Sequence, residues 1–530
     1  MGMKVLGINL AKNGSIAIIN NGELEFYLEE ERVTRKKRDV GAYALCEKYV
    51  DDTIDVAVYS DCFTKYNINY NLEKRSYKKK LDQLLYSKGV KKILDFSTRH
   101  HECHAASAFY GSGFDDAVCV VMDGKGSVLK KNSISFCEIE SIYNVVDGEF
   151  IPLFKHYSCF YNRSLCEKVE EPFWDGINLF SNRVSLGQAF RCVSAYCGFD
   201  ELEAGKTMGL SAYGSGVVNL FNEECGHSFC SKDIHPRDDN GWTKYYGKET
   251  AKEDLAYNLQ KSAENHTLYM IKKAVELSGK KNVVVSGGFF LNCVSNYNVL
   301  KSLDINLYAD PLSYDGGHAF GSAMLVSDKK TSMKTLYLGP SYDLSHIEGL
   351  DTTYDQVASL ISNKNIVAIF QGRSEAGPRA LGNRSILYDP RDPNGKDHVN
   401  TIKRREAFRP FAGTILKEYA NQWFDMAGLE ESPFMMYAVD AYIETAPFIP
   451  AILHVDKTCR IQTVTKEQNE HYYNLISAFY EKTNVPILFN TSFNLAGEPL
   501  VETPEDALRT FHNSDIKYLY FPEVQKLIVK

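Results

Sequence analysis

Residues 3–28 read MKVLGINLAKNGSIAIINNGELEFYL, and two turns cut this stretch into three strands. Residues 3–10 carry the alternation of a strand, Lys12-Asn13-Gly14 reads as a turn, and Ser15 to Ile19 form a second strand. Asn20-Asn21-Gly22 supplies the residue types that tolerate the positive φ of a tight hairpin, and Glu23 to Leu28 make the third strand. Further on, Lys78 to Ser87 and the stretch after His100 read as helices. Ala117 to Met122 is an apolar run bounded by Asp and Gly, hence a buried strand. Ala256 to Leu277 is a long helix, and Val283-Val284-Val285 and Asn306 to Tyr308 are strands. Beyond them come a strand at Val367 to Phe370, a helix at Glu467 to Thr483 and a strand at Val485 to Phe489. Thr503-Pro504-Glu505-Asp506-Ala507 opens another helix, with Thr503 as N-cap, Pro in the first turn and acids beside the positive dipole end. No internal repeat is visible.

The opening meander is typical of actin/hexokinase-like (ASKHA) ATPases, in which the first hairpin faces the nucleotide phosphates. Fold likeness alone assigns no function. At 530 residues the chain exceeds one domain. Residues 326–350 lack periodicity and place a boundary between a first domain, 1–335, and a second, 350–530. The apolar share of 44 % is that of a globular protein, and a net charge of −8 speaks against a long nucleic-acid footprint. The thirteen cysteines show no paired framework, so the expectation is a reduced, cytoplasmic protein. No signal-peptide pattern, myristoylation pattern or membrane-length apolar run is present.

His100-His101-Glu102-Cys103-His104 sets two imidazoles four residues apart, on one face of a helix and within reach of one cation. Asp123-Gly124 ends the apolar strand, where ligand groups project in α/β sheets. Two His and a carboxylate leave open positions on a metal, as catalysis requires. The plainer reading is a surface pair of histidines and a turn aspartate. Asp315, in Asp315-Gly316-Gly317-His318-Ala319-Phe320-Gly321, is either a second carboxylate ligand or a helix N-cap. Ser286-Gly287-Gly288 follows a strand, and such a glycine turn suits an adenylate. Lys206-Thr207-Met208-Gly209-Leu210 is compact and reads either as a site element or as a core helix end. Cys225, His227, Cys230 and His235 lie close together in a polar stretch without a zinc-motif spacing, so a surface insertion is the favoured reading there.

The densest signal is Gly372-Arg373-Ser374-Glu375-Ala376-Gly377-Pro378-Arg379-Ala380-Leu381-Gly382-Asn383-Arg384-Ser385. It is followed by Lys403-Arg404-Arg405-Glu406, by Phe408-Arg409-Pro410-Phe411 and by Arg460. Interleaving with Gly, Pro, Leu and Phe implies half-buried guanidinium groups, which need anionic partners. Arg forks match phosphate oxygens, and Asn490-Thr491-Ser492 at a strand end would add neutral donors. The partner is either a small phosphorylated anion or a buried Asp or Glu, and the residues alone leave both open.

These motifs together resemble the O-carbamoyltransferases of the nodulation and antibiotic-tailoring type. The resemblance rests on His-His-x-x-His-Ala from His100, Asp123-Gly124, Lys206-x-Met208-Gly209-Leu210, Gly287-Gly288-x-x-x-Asn292 and the Asp315 loop. In the second half it rests on Gly377 to Ser385, Arg405-Glu406-x-Phe408-Arg409-Pro410-Phe411, His454-Val455-Asp456, Gln462-Thr463-Val464, Asn490 to Asn494 and Gly497-Glu498-Pro499. It implies an α/β chain in which an ASKHA domain, similar to the tRNA threonylcarbamoyltransferase ATPase, precedes a YrdC-like twisted-sheet domain. It implies carbamoyl phosphate held by Arg379, Lys403, Arg409, Arg460, Asn490 and Ser492. ATP would be bound with Mg near Gly287, Gly288, Asn292, Lys206 and Gly321, and a divalent metal held by His100, His104, Asp123 and Asp315. Iron(II) is the first choice of metal, with zinc or manganese behind it. A carbamoyl-adenylate forms, and a hydroxyl of a sugar, natural product or hydroxymethyl-pyrimidine nucleotide takes the carbamoyl group. The partners expected are these small molecules, with no membrane, no long nucleic acid, and room for a homo-oligomer.

Two departures from the family pattern stand out. Lys12-Asn13 occupies the hairpin turn where the family has His-Asp. Lys12 then acts either as a catalytic cation or base, or as a plain surface lysine. Lys125 and Ser127 replace a small residue and a Glu, and a lysine there suits an anionic acceptor. The competing readings are a tRNA threonylcarbamoyl-type modification enzyme and a catalytically inactive nucleotide-binding regulator.

Overall fold

A computed structural model describes residues 2–61, 68–160, 167–169, 171–216, 234–235, 244–245, 247, 249–327 and 332–530. Cys225, His227 and Cys230 lie outside the described residues, so of that group only His235 is seen, in a two-residue strand. The chain divides into two compact units. One comprises residues 1–30 and 40–334, the other residues 31–39 and 335–530.

In the first unit the opening meander forms as read: β1 (Lys4–Asn9), β2 (Ser15–Asn20) and β3 (Glu23–Glu29). Asn20 pairs with Glu23 across a two-residue turn in which Asn21 and Gly22 both take positive φ, the backbone that matches strand twist. β1 also pairs in parallel with β4 (Val56–Ser60), and β4 with β5 (Lys92–Asp95), which gives the order β3-β2-β1-β4-β5. A second sheet follows. Its strands are β6 (Val118–Met122), β7 (Val128–Lys131), β8 (Ile134–Val146), β9 (Glu149–Ser158), β10 (Phe173–Asp175), β11 (Asn178–Ser181), β14 (Asn282–Ser286) and β15 (Asn306–Ala309). The pairs β12 (Ile234–His235) and β13 (Lys244–Tyr245) stand apart from it. Within the second sheet β9-β8-β6-β14-β15 repeats the first sheet strand for strand. β6 pairs antiparallel with β8 and β8 with β9, while β14 pairs parallel with β6 and with β15. This doubled order makes the unit actin/hexokinase-like. The sequence hides the repeat because the two copies share strand order and direction rather than residues.

Helix His318–Met324 is the wedge of this unit. A Cβ on Gly7 of β1 would lie 1.7 Å from the Ala319 carbonyl, and one on Gly321 would lie 1.9 Å from the Cys103 carbonyl of helix His100–Ser112. Backbone therefore meets backbone on both sides, which only glycine permits. Gly321, read from sequence as nucleotide-binding, has its place explained by this helix contact.

The second unit is built on one mixed sheet. Its strands are β16 (Leu350–Asp351), β17 (Val367–Phe370), β18 (Arg384–Tyr388), β19 (Ala412–Leu416), β20 (Phe424–Asp425), β21 (Ala438–Ala441), β22 (Thr458–Val464), β23 (Ile487–Ser492), β24 (Tyr518–Phe521) and β25 (Lys526–Val529). They are ordered β16-β25-β24-β17-β18-β23-β19-β22-β21-β20. Helix Pro504–His512 starts at a full capping box between Thr503 and Asp506, as its sequence requires. Among the described residues no helix is long and apolar enough to cross a membrane, and the described cysteines are buried and unbridged.

Gly321→Val should lower the thermal midpoint of the first unit by overpacking, a cost of about 1–3 kcal/mol. It should also weaken metal binding by forcing helix His318–Met324 away from the helix that carries His100 and His104. Differential scanning calorimetry and metal titration check both.

Candidate metal and anion-binding sites

The first unit gathers His100, His104, Asp315 and His318, whose ligand atoms lie within 4.8 Å of one another. The two histidines of the first helix come together as their spacing requires. Asp315 begins a short 3-10 turn and His318 opens the next helix, three residues on. His100 Nε2 and His104 Nε2 each lie 3.9 Å from Asp315 Oδ1. Two ligands about 2.1 Å from one ion can be up to roughly 4.2 Å apart, so these separations suit a shared cation. The His318 ring sits edge-on to both, 4.1 Å from each centroid.

Hydrogen bonding directs the rings inward. His104 Nδ1 lies 3.4 Å from Ser286 Oγ, which donates to buried Asp310. His100 Nδ1 lies 3.5 Å from the Asp61 carbonyl. Such partners fix the ring nitrogen that faces a metal. His104 Nε2 and both ring nitrogens of His318 are buried with no hydrogen-bond partner. Burial, and then the neighbouring imidazoles, hold His104 and His318 well below the usual histidine range, so their lone pairs are available. His100 behaves differently. Burial lowers it, but the Asp123 hydrogen bond and the Asp315 charge raise it to about 9. Burial and the Asp123 charge push the Asp315 carboxyl up. This donor set draws one positive charge to its centre, and orphaned buried imidazoles beside two carboxylates fit a divalent metal.

Asp123, read from sequence as a ligand, stands beside the four. Its Oδ2 lies 3.2 Å from His100 Nε2, and its Oδ1 accepts from the Gly288 amide at 3.4 Å. It thus joins the metal cluster to the glycine turn, where Gly287 has φ 97° and a Cβ would lie 2.3 Å from the Met122 carbonyl. His318 was missed because only Asp315 was taken from its loop. The i, i+3 spacing of the two was the available signal. Asn292 caps helix Cys293–Ser302 and exchanges hydrogen bonds with Gln260. Lys206 pairs with Glu203 at 2.7 Å. Lys12 is exposed in the hairpin turn, whose carbonyls at 12 and 13 are held by Asn9, and its charge lowers the Asp315 carboxyl. The burial that a basic role would need is not there.

In the second unit the arginines divide into two kinds. Arg384 is wholly buried, lies 3.7 Å over the Phe370 ring, and donates to the carbonyls of Gln371, Gly372, Asn383 and Glu502. Its partners are internal, and its role is structural. Lys403, Arg405, Arg409 and Arg460 form an electrostatic cluster. Lys403 ends helix Gly395–Lys403, and left-handed Arg404 turns the chain toward Arg405. Buried Lys403 donates to the Ser492 carbonyl, to the Asn494 carbonyl at 2.9 Å and to Asn494 Oδ1 at 3.0 Å. Burial, then Arg405, Arg409 and Lys37, hold its ammonium well below the usual lysine value. Burial, then Arg409 and Arg460, bring Arg405 down to about 9. Carboxylates that answer these charges include Glu406, 3.6 Å from Arg409, and Glu498. Arg405 and Arg460 each keep a buried Nε without a hydrogen-bond partner. Asn490 donates to the Ala380 carbonyl at 3.2 Å, which sets the Arg379 loop against the strand end carrying Ser492. Cations so crowded fit an added anion. Arg405 is the member that the sequence reading did not assign to the pocket.

His104→Ala and His318→Ala should each abolish stoichiometric divalent-metal binding in titrations read by elemental analysis, while Asp123→Asn should weaken it less. Inorganic phosphate should bind the second unit's pocket. Because the anion favours protonated Lys403, calorimetry should show proton uptake on binding and an affinity that falls as pH rises.

Residues 44–324 match the family described as carbamoyltransferase N-terminus, and residues 358–527 the one described as carbamoyltransferase C-terminus. The nodulation protein NolO of Bradyrhizobium diazoefficiens is 30 % identical over 79 % of this chain and 76 % of its own. An uncharacterized protein of Synechocystis is 30 % identical over 97 % of this chain and 95 % of its own. Full-length HypF in its phosphate- and nucleotide-bound form is 15 % identical. It covers 61 % of this chain and 55 % of its own at a TM-score of 0.36, so the fold rests on the doubled strand order described above. With both halves matched and relatives spanning nearly its whole length, the chain belongs to the carbamoyltransferase family of enzymes.

Proposed function

We propose that this enzyme is an ATP-dependent O-carbamoyltransferase that uses carbamoyl phosphate. The observation that carries the reading is the cation cluster of Lys403, Arg405, Arg409 and Arg460, in which buried Lys403 and Arg405 are lowered by the other cations and Arg405 and Arg460 each keep a buried Nε without a hydrogen-bond partner. A phosphate monoester or acyl phosphate supplies the missing negative charge, and arginine forks match its oxygens. In this reading the second unit is the YrdC-like domain, with Arg379, Asn490 and Ser492 completing the donor set. Carbamoyl phosphate and water give carbamate and phosphate there.

The next step joins carbamate to ATP. A carbamate oxygen attacks the α-phosphorus and pyrophosphate leaves, which gives carbamoyl-adenylate. The acceptor hydroxyl then attacks the carbamoyl carbon and loses its proton, and AMP leaves. The Gly287-Gly288 turn brings backbone amides close to the nucleotide, and Asp123 orients that turn through Gly288. Lys12 faces the nucleotide phosphates as a cation, and Mg accompanies ATP. His100, His104, Asp315 and His318 would hold a divalent metal, iron(II) before zinc or manganese. Bound there, it supplies Lewis acidity toward the carbamoyl oxygen.

The acceptor is a hydroxyl of a sugar, natural product or hydroxymethyl-pyrimidine nucleotide. Lys125 favours an anionic one, since its amide lies 3.4 Å from Asp123 Oδ2 and its side chain therefore starts at the metal cluster.

Pyrophosphate release from ATP should require carbamoyl phosphate, and one member of a panel of sugars and hydroxymethyl nucleotides should become carbamoylated. Lys403→Met should cut kcat/KM for carbamoyl phosphate by ~30-fold or more, the effect of breaking a buried, hydrogen-bonded charge contact. Metal and nucleotide binding with no pyrophosphate under any condition would replace this reading with that of a binding regulator.

A further inference from the structure

The second unit includes one segment taken from the middle of the first unit's sequence. Glu31–Asp39 belongs to it, while residues 30 and 40 on either side belong to the other unit. Two arginines of this strap reach the two loops that shape the cation pocket. Arg32 is buried, donates to the carbonyls of Gly377 at 3.1 Å and Glu375 at 3.4 Å, and lies 3.7 Å from Glu502. Those carbonyls open the loop that carries Arg379. The same loop is folded by the Glu375 carboxylate, which accepts the amides of Leu381, Asn383 and Arg384.

Arg35 donates to the Leu500 carbonyl at 2.7 Å and the Pro499 carbonyl at 3.1 Å, and lies 3.4 Å from Asp506. Pro499 and Leu500 end the loop that begins at Asn494. That loop is closed by Asn494 donating to the Glu498 carbonyl at 2.7 Å and by the Leu495 amide donating to Glu498 Oε2 at 3.1 Å. Asn494 in turn accepts from Lys403 through its backbone and side-chain oxygens. One guanidinium thus braces the Arg379 loop, and the other braces the loop that aims Lys403. A planar fork on two successive carbonyls fixes a loop in direction as well as position, which a lysine does not reproduce.

We propose that Arg32 and Arg35 are positioning residues for the anion site of the second unit, so that the strap Glu31–Asp39 is a working part of the carbamoyl-phosphate pocket. This rests on the reading of that pocket given above. The strap also adds charge, since Lys37 contributes to the positive field at Lys403. The strap thereby supplies groups that residues 335–530 lack, and those residues by themselves form an incomplete pocket.

The test uses the full chain with Arg35→Met, Arg35→Lys and Arg32→Met. KM for carbamoyl phosphate and for ATP is measured in the pyrophosphate assay, and inorganic phosphate binding is measured by calorimetry. Arg35→Met should raise KM for carbamoyl phosphate about tenfold or more and weaken phosphate binding in step, with KM for ATP and divalent-metal stoichiometry unchanged. Arg35→Lys should recover part of this loss. Arg32→Met should act likewise if it folds, and Arg35, being partly exposed, decides the matter if it does not. A lower melting temperature with unchanged phosphate affinity and KM would overturn the proposal, as would an equal rise in KM for both substrates. If the wild-type chain binds phosphate but releases no pyrophosphate, the reaction reading fails and phosphate binding by the variants still decides the strap's role. If it binds no phosphate, both fail.

Discussion

The close approach of helix His318–Met324 to β1 and to helix His100–Ser112 is the constraint on which the first unit depends. Gly7 and Gly321 remove side chains from both contacts, so backbone packs on backbone. That spacing sets His318 4.1 Å from two other imidazoles. It also carries Asp315 to the same point, because the 3-10 turn that ends at Gly317 runs straight into this helix. A larger residue at either glycine would move the helix and pull apart a donor set drawn from two separate stretches of chain. The doubled strand order supplies the frame: Asp123 follows β6, and the Gly287-Gly288 turn follows β14, its parallel neighbour in the same sheet.

The second unit solves a different problem, that of keeping cations close together. Arg384 shows how an internal arginine is satisfied, with backbone carbonyls and an aromatic face around it. Lys403 also meets backbone carbonyls and Arg405 the Phe411 ring, yet burial with mutual repulsion depresses both. Such an arrangement costs folding stability unless something else holds it. Here the holders are neutral oxygens: the Ser492 and Asn494 carbonyls fix the Lys403 ammonium and leave net positive charge for a ligand. Of the two explanations that the residues alone left open, the internal one fits Arg384, held by backbone carbonyls with Glu502 and Glu375 nearby, while an anion at the Lys403 cluster belongs to the proposed function.

Much of this was legible in the sequence. The Asn20-Asn21-Gly22 turn, the strand at Val367–Phe370 and the Thr503 cap follow from local chemistry and stand where their residues put them. So does the pairing of His100 with His104, since helical spacing is enough to bring them together. Three features were not legible. β7 to β11 carry no clean alternation, because β8 is buried along most of its length and buries Glu138, Glu140 and Ser141 among its apolar residues. His318 needed the tertiary contact that aims its ring, and the exchange of Glu31–Asp39 into the second unit leaves no compositional mark.

The two sites have opposite electrostatic characters, and this argues for building them on separate sheets. The metal cluster offers carboxylate and imidazole donors to a cation, with Asp123 and Asp315 its partly exposed members and the histidines buried. The other site attracts anions and would lose its field if a carboxylate pair stood among its arginines. Merging them would pair Asp315 with Arg405 or Lys403 and silence both, because a salt bridge satisfies each group as well as its ligand does. Each unit therefore has its own buried scaffold, and each scaffold leaves polar atoms of its own without a hydrogen-bond partner: imidazole nitrogens in one, guanidinium nitrogens in the other.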